Sequence, residues 1–185
     1  MNLSCLQKTI DNMIQIKNST KQDIKEIFRL YEIATGFQKT RYTVHWPIFD
    51  RGLVENEIDE NRQWKIEMDG KTACIFATTF DDPKIWEERN EDAAIYIHRI
   101  ATNPDFRGQN LVAEIVKWAK VYAAEHKKEY IRMDTVGENT KLIAYYGKCG
   151  FDYLGPLTLK DTEGLPAHYN NATVSLFEIS LKSNR

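Results

Sequence analysis

AAIYIHRIATNPDFRGQNLVAEIVKWAKVYAAEHKKEYIRMDTVGENTKLIAYYGKCGFDYLG, residues 93–155, is the stretch whose reading decides the fold. Ile95 to Thr102 is apolar and β-branched, the pattern of a strand. Asn103-Pro104-Asp105 is turn chemistry, because Pro104 fixes its own φ and holds Asn103 extended. After Arg107-Gly108-Gln109-Asn110, apolar residues recur at Val112, Ile115, Val116, Ala119, Tyr122 and Ala123, one face of a 3.6-period helix. Strand, polar turn and helix follow one another. The first N–H groups of a helix lack internal partners, and its dipole places partial positive charge there. With Gly108 and Asn110 in the turn and Arg107 beside it, this is an anion site of the size of a phosphate or pyrophosphate.

Downstream, Tyr130 to Thr135 is a second strand. A connection holding one long helix makes it the parallel neighbour of the first, with a right-handed crossover. Asn139 is an N-cap for a short helix carrying Leu142, Ile143 and Tyr146, and Gly150 is its stop. Phe151 to Leu154 begins another strand.

Two motifs in this stretch resemble those of the GCN5-related N-acetyltransferases, the GNAT superfamily. The family's loop, Arg/Gln-x-x-Gly-x-Gly/Ala after a strand and a proline, is matched by Arg107-Gly108-Gln109-Asn110-Leu111-Val112. Its second signature, Asn, then Tyr seven residues on, then x-x-x-Gly-Phe, is matched by Asn139, Tyr146, Gly150 and Phe151. The motifs cover about a third of the chain. Two positions depart from the pattern. Asn110 stands for the first loop glycine and tolerates the left-handed region. Val112 stands for the second small residue, and its branched side chain is expected to crowd the first helical turn and push a pyrophosphate off the helix axis.

The resemblance implies an α/β fold with a mixed sheet, antiparallel at first and parallel between the two central strands, flanked by helices. It implies acetyl transfer from acetyl-CoA to an amine by direct attack. Backbone groups of Ile100, Ala101 and Thr102 would pair with the pantetheine arm. Arg107 through Val112 would hold the cofactor's phosphate end, and Asn139 would also contact the cofactor. Tyr146 matches the tyrosine that protonates the departing thiolate. A phenol near 10 is uphill from a thiolate near 8.5 by roughly 2 kcal/mol, so that role requires a dry, apolar wall around the sulfur. Tyr145 lies about 100° around the same helix and fits less well. His98 occupies a strand position where aralkylamine acetyltransferases carry a histidine, and is the candidate base. The alternative is a non-catalytic acyl-CoA-binding sensor module of the same fold, kept open by the altered loop.

The remaining chain adds limits. Its 185 residues, 42% hydrophobic with net charge −2, suit one domain with a real core and give no general pull toward nucleic acid. No apolar run reaches membrane-spanning length and no signal peptide is evident, so no membrane partner and a cytoplasmic setting are expected. Cys5, Cys74 and Cys149 show no CxxC spacing and read as reduced. Cys149 is read as a small buried hydrophobe rather than a nucleophile. His45, His98, His126 and His168 show no ligand spacing, and no metal is predicted. Residues 1–12 read as a lead segment and 13–185 as one domain. Ile14 and Ile16 mark a first strand, and Thr20 to Asp23 resembles a capping box opening a helix that Gly36 ends. The segment 41–47 reads as irregular, and Pro47 opens a second helix to about Asn61. Asp69-Gly70 marks a hairpin between Trp64–Met68 and Lys71–Phe80. Ile85 to Asp92 reads as a charged connection, Leu159 to Asn171 as a polar loop, and Thr173 to Leu181 as the last strand. Trp46, Phe49, Trp64 and Trp86 are candidates for an apolar acceptor pocket, with core packing as the alternative. Glu67, Asp81, Asp82, Glu87 and Glu88 supply carboxylates on the acceptor side. The acceptor itself, a small molecule or a protein amino group, is not identified. The family is often dimeric, so a homodimer is among the expected assemblies.

Overall fold

The computed structural model describes residues 14–41, 45–170 and 172–182. The expected lead at 1–12, and part of the irregular segment at 41–47, lie outside the described residues. Seven strands form one sheet: β1 (Gln15–Asn18), β2 (Gln63–Met68), β3 (Lys71–Thr79), β4 (Ala94–Thr102), β5 (Tyr130–Val136), β6 (Asp152–Thr158) and β7 (Thr173–Ser180). Their order across the sheet is β1-β2-β3-β4-β5-β7-β6. β4 and β5 are parallel, and every other neighbouring pair is antiparallel. No helix among the described residues is long and apolar enough to cross a membrane.

The helices divide between the two faces. α4 (Leu111–Glu125) and α5 (Thr140–Lys148) lie on one. Their apolar stripes, including Leu111, Ile115, Val116, Ala119 and Tyr146, pack on Ile66, Phe76, Ile95, Ile97 and Phe177 of the sheet. α1 (Ile24–Arg41) and α2 (Arg51–Asp59) lie on the other, where Ile24, Ile27, Leu30, Val54 and Ile58 meet Ile75 and Ala101. A four-residue helix, α3 (Pro83–Trp86), extends that second face. There Ile85 and Trp86 pack with Tyr96, Leu159, Val174 and Leu176.

Most boundaries follow the local chemistry. Asp23 accepts hydrogen bonds from the backbone N–H and hydroxyl of Thr20, so the capping box forms with Asp in the Glu role. Asp69 and Gly70 both have positive φ, the requirement of a type I′ hairpin turn. Three expectations are corrected. α1 runs through Gly36 to Arg41, because packing of its apolar face outweighs the roughly 1 kcal/mol cost of one glycine. The second helix begins at Arg51, not Pro47. Phe49 is buried against Tyr31 and Trp46, and the Asp50 carboxylate supplies the cap by accepting from the Leu53 N–H at 3.1 Å. The connection before β4 is not merely charged, since its Trp86 is buried at 2% exposure.

Two irregularities in β4 make the site. First, β4 pairs with β5 only at Ala94, Ile95 and Tyr96, and beyond Tyr96 the two parallel strands separate. Second, the register against β3 slips between Ile75↔Ala101 and Ala77↔His98, so Arg99 and Ile100 oppose Phe76 alone. This bulge puts Arg99 at φ 51, a strained value for a side chain of its size. It also reverses the strand's alternation. Tyr96 and Ala101 share the face of α1 to α3, while Ile97 and Ile100 pack on the other.

Candidate functional site

The separated strands open a cleft of about 1380 Å³. Its walls come from the β4 bulge, the carboxyl half of β5, the start of α5, the segment before α2 and the loop between β6 and β7. A second hollow of about 410 Å³ adjoins it at the end of β4, between Thr102, the 106–112 loop and Tyr145. Ile100 lines the first and Thr102 the second, so one strand end serves both.

In the smaller hollow the loop has the geometry its residues foretold. Asn110 is left-handed, at φ 54 and ψ 40, and Gly108 has φ 84. Among the described residues, the backbone N–H groups of Gly108, Asn110 and Leu111 have no protein acceptor. Asn110 spends its side chain across the hollow, where Oδ1 accepts from the Tyr145 hydroxyl at 3.2 Å. Val112 is 7% exposed and directed into the core while still forming part of the wall. The Arg107 guanidinium lies over the Phe37 ring, 5.2 Å from its centroid. Gln109 is exposed and Ala101 is buried in the α1–α2 core, so the side chains of these two line neither hollow.

In the larger cleft stand Tyr146, Asn139 and His98. Asn139 caps α5, accepting from the N–H groups of Lys141 and Leu142 at 3.1 and 3.2 Å. Tyr146 is 8% exposed and packs edge-on to Phe151 and Phe177. Its hydroxyl makes no hydrogen bond among the described residues. Burial pushes the phenol well above its ordinary pKa, so it carries its proton at every working pH. Of the four candidate aromatics, Trp46 and Phe49 line the cleft, while Trp64 and Trp86 are core. Cys149 lies beside Asn110, its Sγ 3.9 Å from Oδ1, and burial raises its thiol.

Beside the bulge, three residues from three elements converge. The donor atoms of Asp82, His98 and Asp134 lie within 4.8 Å of one another, and His98 Nε2 is 3.6 Å from Asp82 Oδ2. Asp82 was one of five candidate carboxylates, and it is the one of the five that enters the cleft. Asp134 went unnoticed, because in sequence it is one polar residue of an amphipathic strand. Burial is the main cause of their shifts. It raises Asp82 to about 8 and Asp134 to about 6, and it lowers His98 to about 3, helped by Arg99 and Arg62. The proton of the Asp82–His98 pair therefore rests on the carboxyl near neutrality. Asp134 accepts from the Tyr169 hydroxyl at 2.9 Å. His168 also faces the cleft, lowered to about 4, with Nδ1 buried and unpartnered. One histidine and two carboxylates also make a donor set for a divalent cation.

These shifts have a stability signature. A carboxyl whose folded pKa is raised binds its proton more tightly when folded, so its contribution is full below about 3.8 and lost as pH rises through 6 and 8. His98 and His168 act oppositely below 6.5. The clean observable is therefore a difference. Asp82→Asn is expected to gain on wild type between pH 5 and 8, by about 4 kcal/mol. Thermal melts at each pH read it directly, and a flat difference would place an ordinary carboxylate at 82.

Comparison with known proteins agrees with this geometry. The family model described as Acetyltransferase (GNAT) family matches residues 25–151. An uncharacterized N-acetyltransferase of Bacillus subtilis, YesJ, is 31% identical over 74 residues, covering 40% of this chain and 41% of that protein. The match thus spans less than half the length of that curated relative. A crystal structure of a GNAT-family acetyltransferase from Listeria monocytogenes superposes with a TM-score of 0.71 at 21% identity, covering 91% of this chain and 95% of that one. The Salmonella typhimurium putative acetyltransferase yncA, solved with its cofactor acetyl-CoA, superposes at 0.66 with 12% identity, covering 93% and 96%.

Proposed function

This chain belongs to the acetyltransferase (GNAT) family, and we propose that it transfers an acetyl group from acetyl-CoA to an amine by direct attack. The observation that carries the proposal is the separation of β4 from β5 beyond Tyr96, with Tyr146 on one side of the opening and an N–H-lined anion turn at its end. The residues present fit the cofactor. Gly108, Asn110 and Leu111 offer free N–H groups and Arg107 a charge for the pyrophosphate. The unpaired edge of β4, from Ile97 to Thr102, offers backbone groups to an extended amide-bearing arm. When bound, acetyl-CoA supplies the acetyl group as a thioester.

The chain's own residues then have distinct tasks. The cleft excludes water and orients the amine. N–H groups near the bulge are placed to stabilise negative charge on the acetyl oxygen. A base beside His98 takes a proton from the arriving ammonium. Tyr146 holds a proton at its hydroxyl for the departing sulfur. Two protons leave the nitrogen in total, one ending on sulfur and one in solvent. Free, buried Cys74 and Cys149 suit the reduced, cytoplasmic setting proposed for the chain.

Measurement of free-thiol release from acetyl-CoA across a broad panel of amines tests the activity. Tight cofactor binding without release for any amine would favour the sensor reading instead. Asn110 gives a sharper test of the turn. Asn110→Ala puts an ordinary side chain at φ 54 and deletes the Tyr145 contact. It is expected to raise KM for acetyl-CoA about tenfold, or about 1.4 kcal/mol. Asn110→Gly, which accepts that φ freely, is expected to stay within about threefold of wild type. Equal losses in both variants would show that the turn's conformation is not what matters.

A further inference from the structure

We infer that Asp82, Asp134 and His98 form the subsite that receives the acceptor's ammonium group, and that the acceptor is a primary amine with an apolar body and no carboxylate near its nitrogen. The inference rests on the transferase reading and narrows it.

The cluster is more than a group of acidic residues. Asp82 is 9% exposed, and its Oδ2 is buried with no hydrogen-bond partner while facing His98 Nε2. A buried acceptor left unmade costs about 1–3 kcal/mol, and more for a charged group. Asp82 lines the main cleft, so an arriving cation that shifts the neighbouring side chains slightly gives that oxygen a donor. His98, held neutral, has a ring nitrogen available as an acceptor toward the same point. The Tyr169 hydroxyl holds Asp134 in place from behind.

The three donor atoms lie within 4.8 Å of one another, and His98 Nε2 lies 3.6 Å from Asp82 Oδ2. An ammonium hydrogen-bonded at about 2.8 Å spreads its acceptors to about 4.6 Å, so it reaches all three once that pair opens by about 1 Å. Bonds of about 2.1 Å in a tetrahedral metal site place ligands about 3.4 Å apart, so the aromatic wall, rather than the spacing, favours the amine. Its proton passes to Asp134, the carboxyl of the two that is ionised near neutrality, leaving the neutral amine as nucleophile.

The surroundings select against a second charge of the wrong sign. A carboxylate on the carbon beside the nitrogen would be pressed against the Asp134 carboxylate. The nearby cations are already engaged. Arg99 is paired with both oxygens of Glu57 at 2.5 Å, and Arg62 with Glu60. Beyond the cluster the wall turns apolar and aromatic, with Trp46, Phe49, Ile85, Leu165 and Tyr169.

Wild-type protein decides the matter without variants. Thiol release is compared for phenethylamine against phenylalanine and for pentylamine against norleucine. Each carboxylate-free amine is expected to exceed its amino acid at least 100-fold in kcat/KM. Amino acids used as well as their amines would overturn the inference and leave the transferase reading standing. No release with any amine would overturn both. Asp134→Asn is then expected to raise KM for the preferred amine at least tenfold while KM for acetyl-CoA stays within twofold. Equal changes in the two constants would mark a structural role only. Competitive protection from Zn²⁺ at micromolar levels, with no amine turned over, would assign the cluster to a metal instead.

Discussion

Tyr146→Phe is expected to lower kcat by about 100-fold or more, with KM for acetyl-CoA within about twofold and stability nearly unchanged. The asymmetry follows from where the hydroxyl is. The ring is held edge-on by Phe151 and Phe177, and phenylalanine keeps those contacts. The hydroxyl bonds to nothing in the described fold, so its removal leaves no partner orphaned. Its proton is what the reaction loses. Burial raises the phenol, and a thiolate leaving beside it, desolvated by the bound substrates, would be raised by the same cause. The transfer is then between two desolvated anions rather than from a phenol in water. Tyr145→Phe is the control. Its hydroxyl donates to Asn110 at the phosphate end, so it should alter cofactor affinity and spare kcat. Full turnover in Tyr146→Phe would remove the acid role.

Arg132→Ala is expected to destabilise the fold by about 3–5 kcal/mol, near 10 °C in melting temperature for a chain of this length. The Arg132 side chain is 2% exposed and sits where β4 and β5 are still joined. It donates from Nε to Glu178 at 2.7 Å, from Nη2 to Asp92 at 2.5 Å and from Nη1 to the Arg89 carbonyl. Its guanidinium lies between the rings of Trp86 and Tyr130, at 4.8 and 4.6 Å. Alanine strands the Glu178 carboxylate and opens a void between the rings. Arg132→Lys should recover little, since an ammonium cannot fork to three partners or stack. Calorimetry on the three proteins gives the ranking. A loss under 1 kcal/mol in the alanine variant would mean the neighbours reorganise.

The pairing of these two residues explains how the cleft keeps its shape. Arg132 holds the closed end of the β4–β5 opening, and Arg99, tied to Glu57 and Tyr31, holds the strained bulge at its open side. The Tyr146 hydroxyl needs no internal bond because the frame around it is fixed elsewhere.

By itself the sequence determined the element order, the left-handed turn at Asn110 and the position of Tyr146 on its helix. Each of these depends on neighbours in the chain: the strand-to-helix periods around 93–155, the left-handed tolerance of Asn110, the Asn139 cap. Gly36 and Pro47 misled because a local preference of about 1 kcal/mol yields to burial of a helix face and to the Asp50 cap. Only the tertiary structure brought the three polar groups of the cleft wall together. Asp82, His98 and Asp134 lie on a loop and two strands, up to 52 residues apart by their numbers. Their spacing carries no period, and their shifted protonation comes from burial that exists only once α3, the β6–β7 loop and the separated strands enclose them.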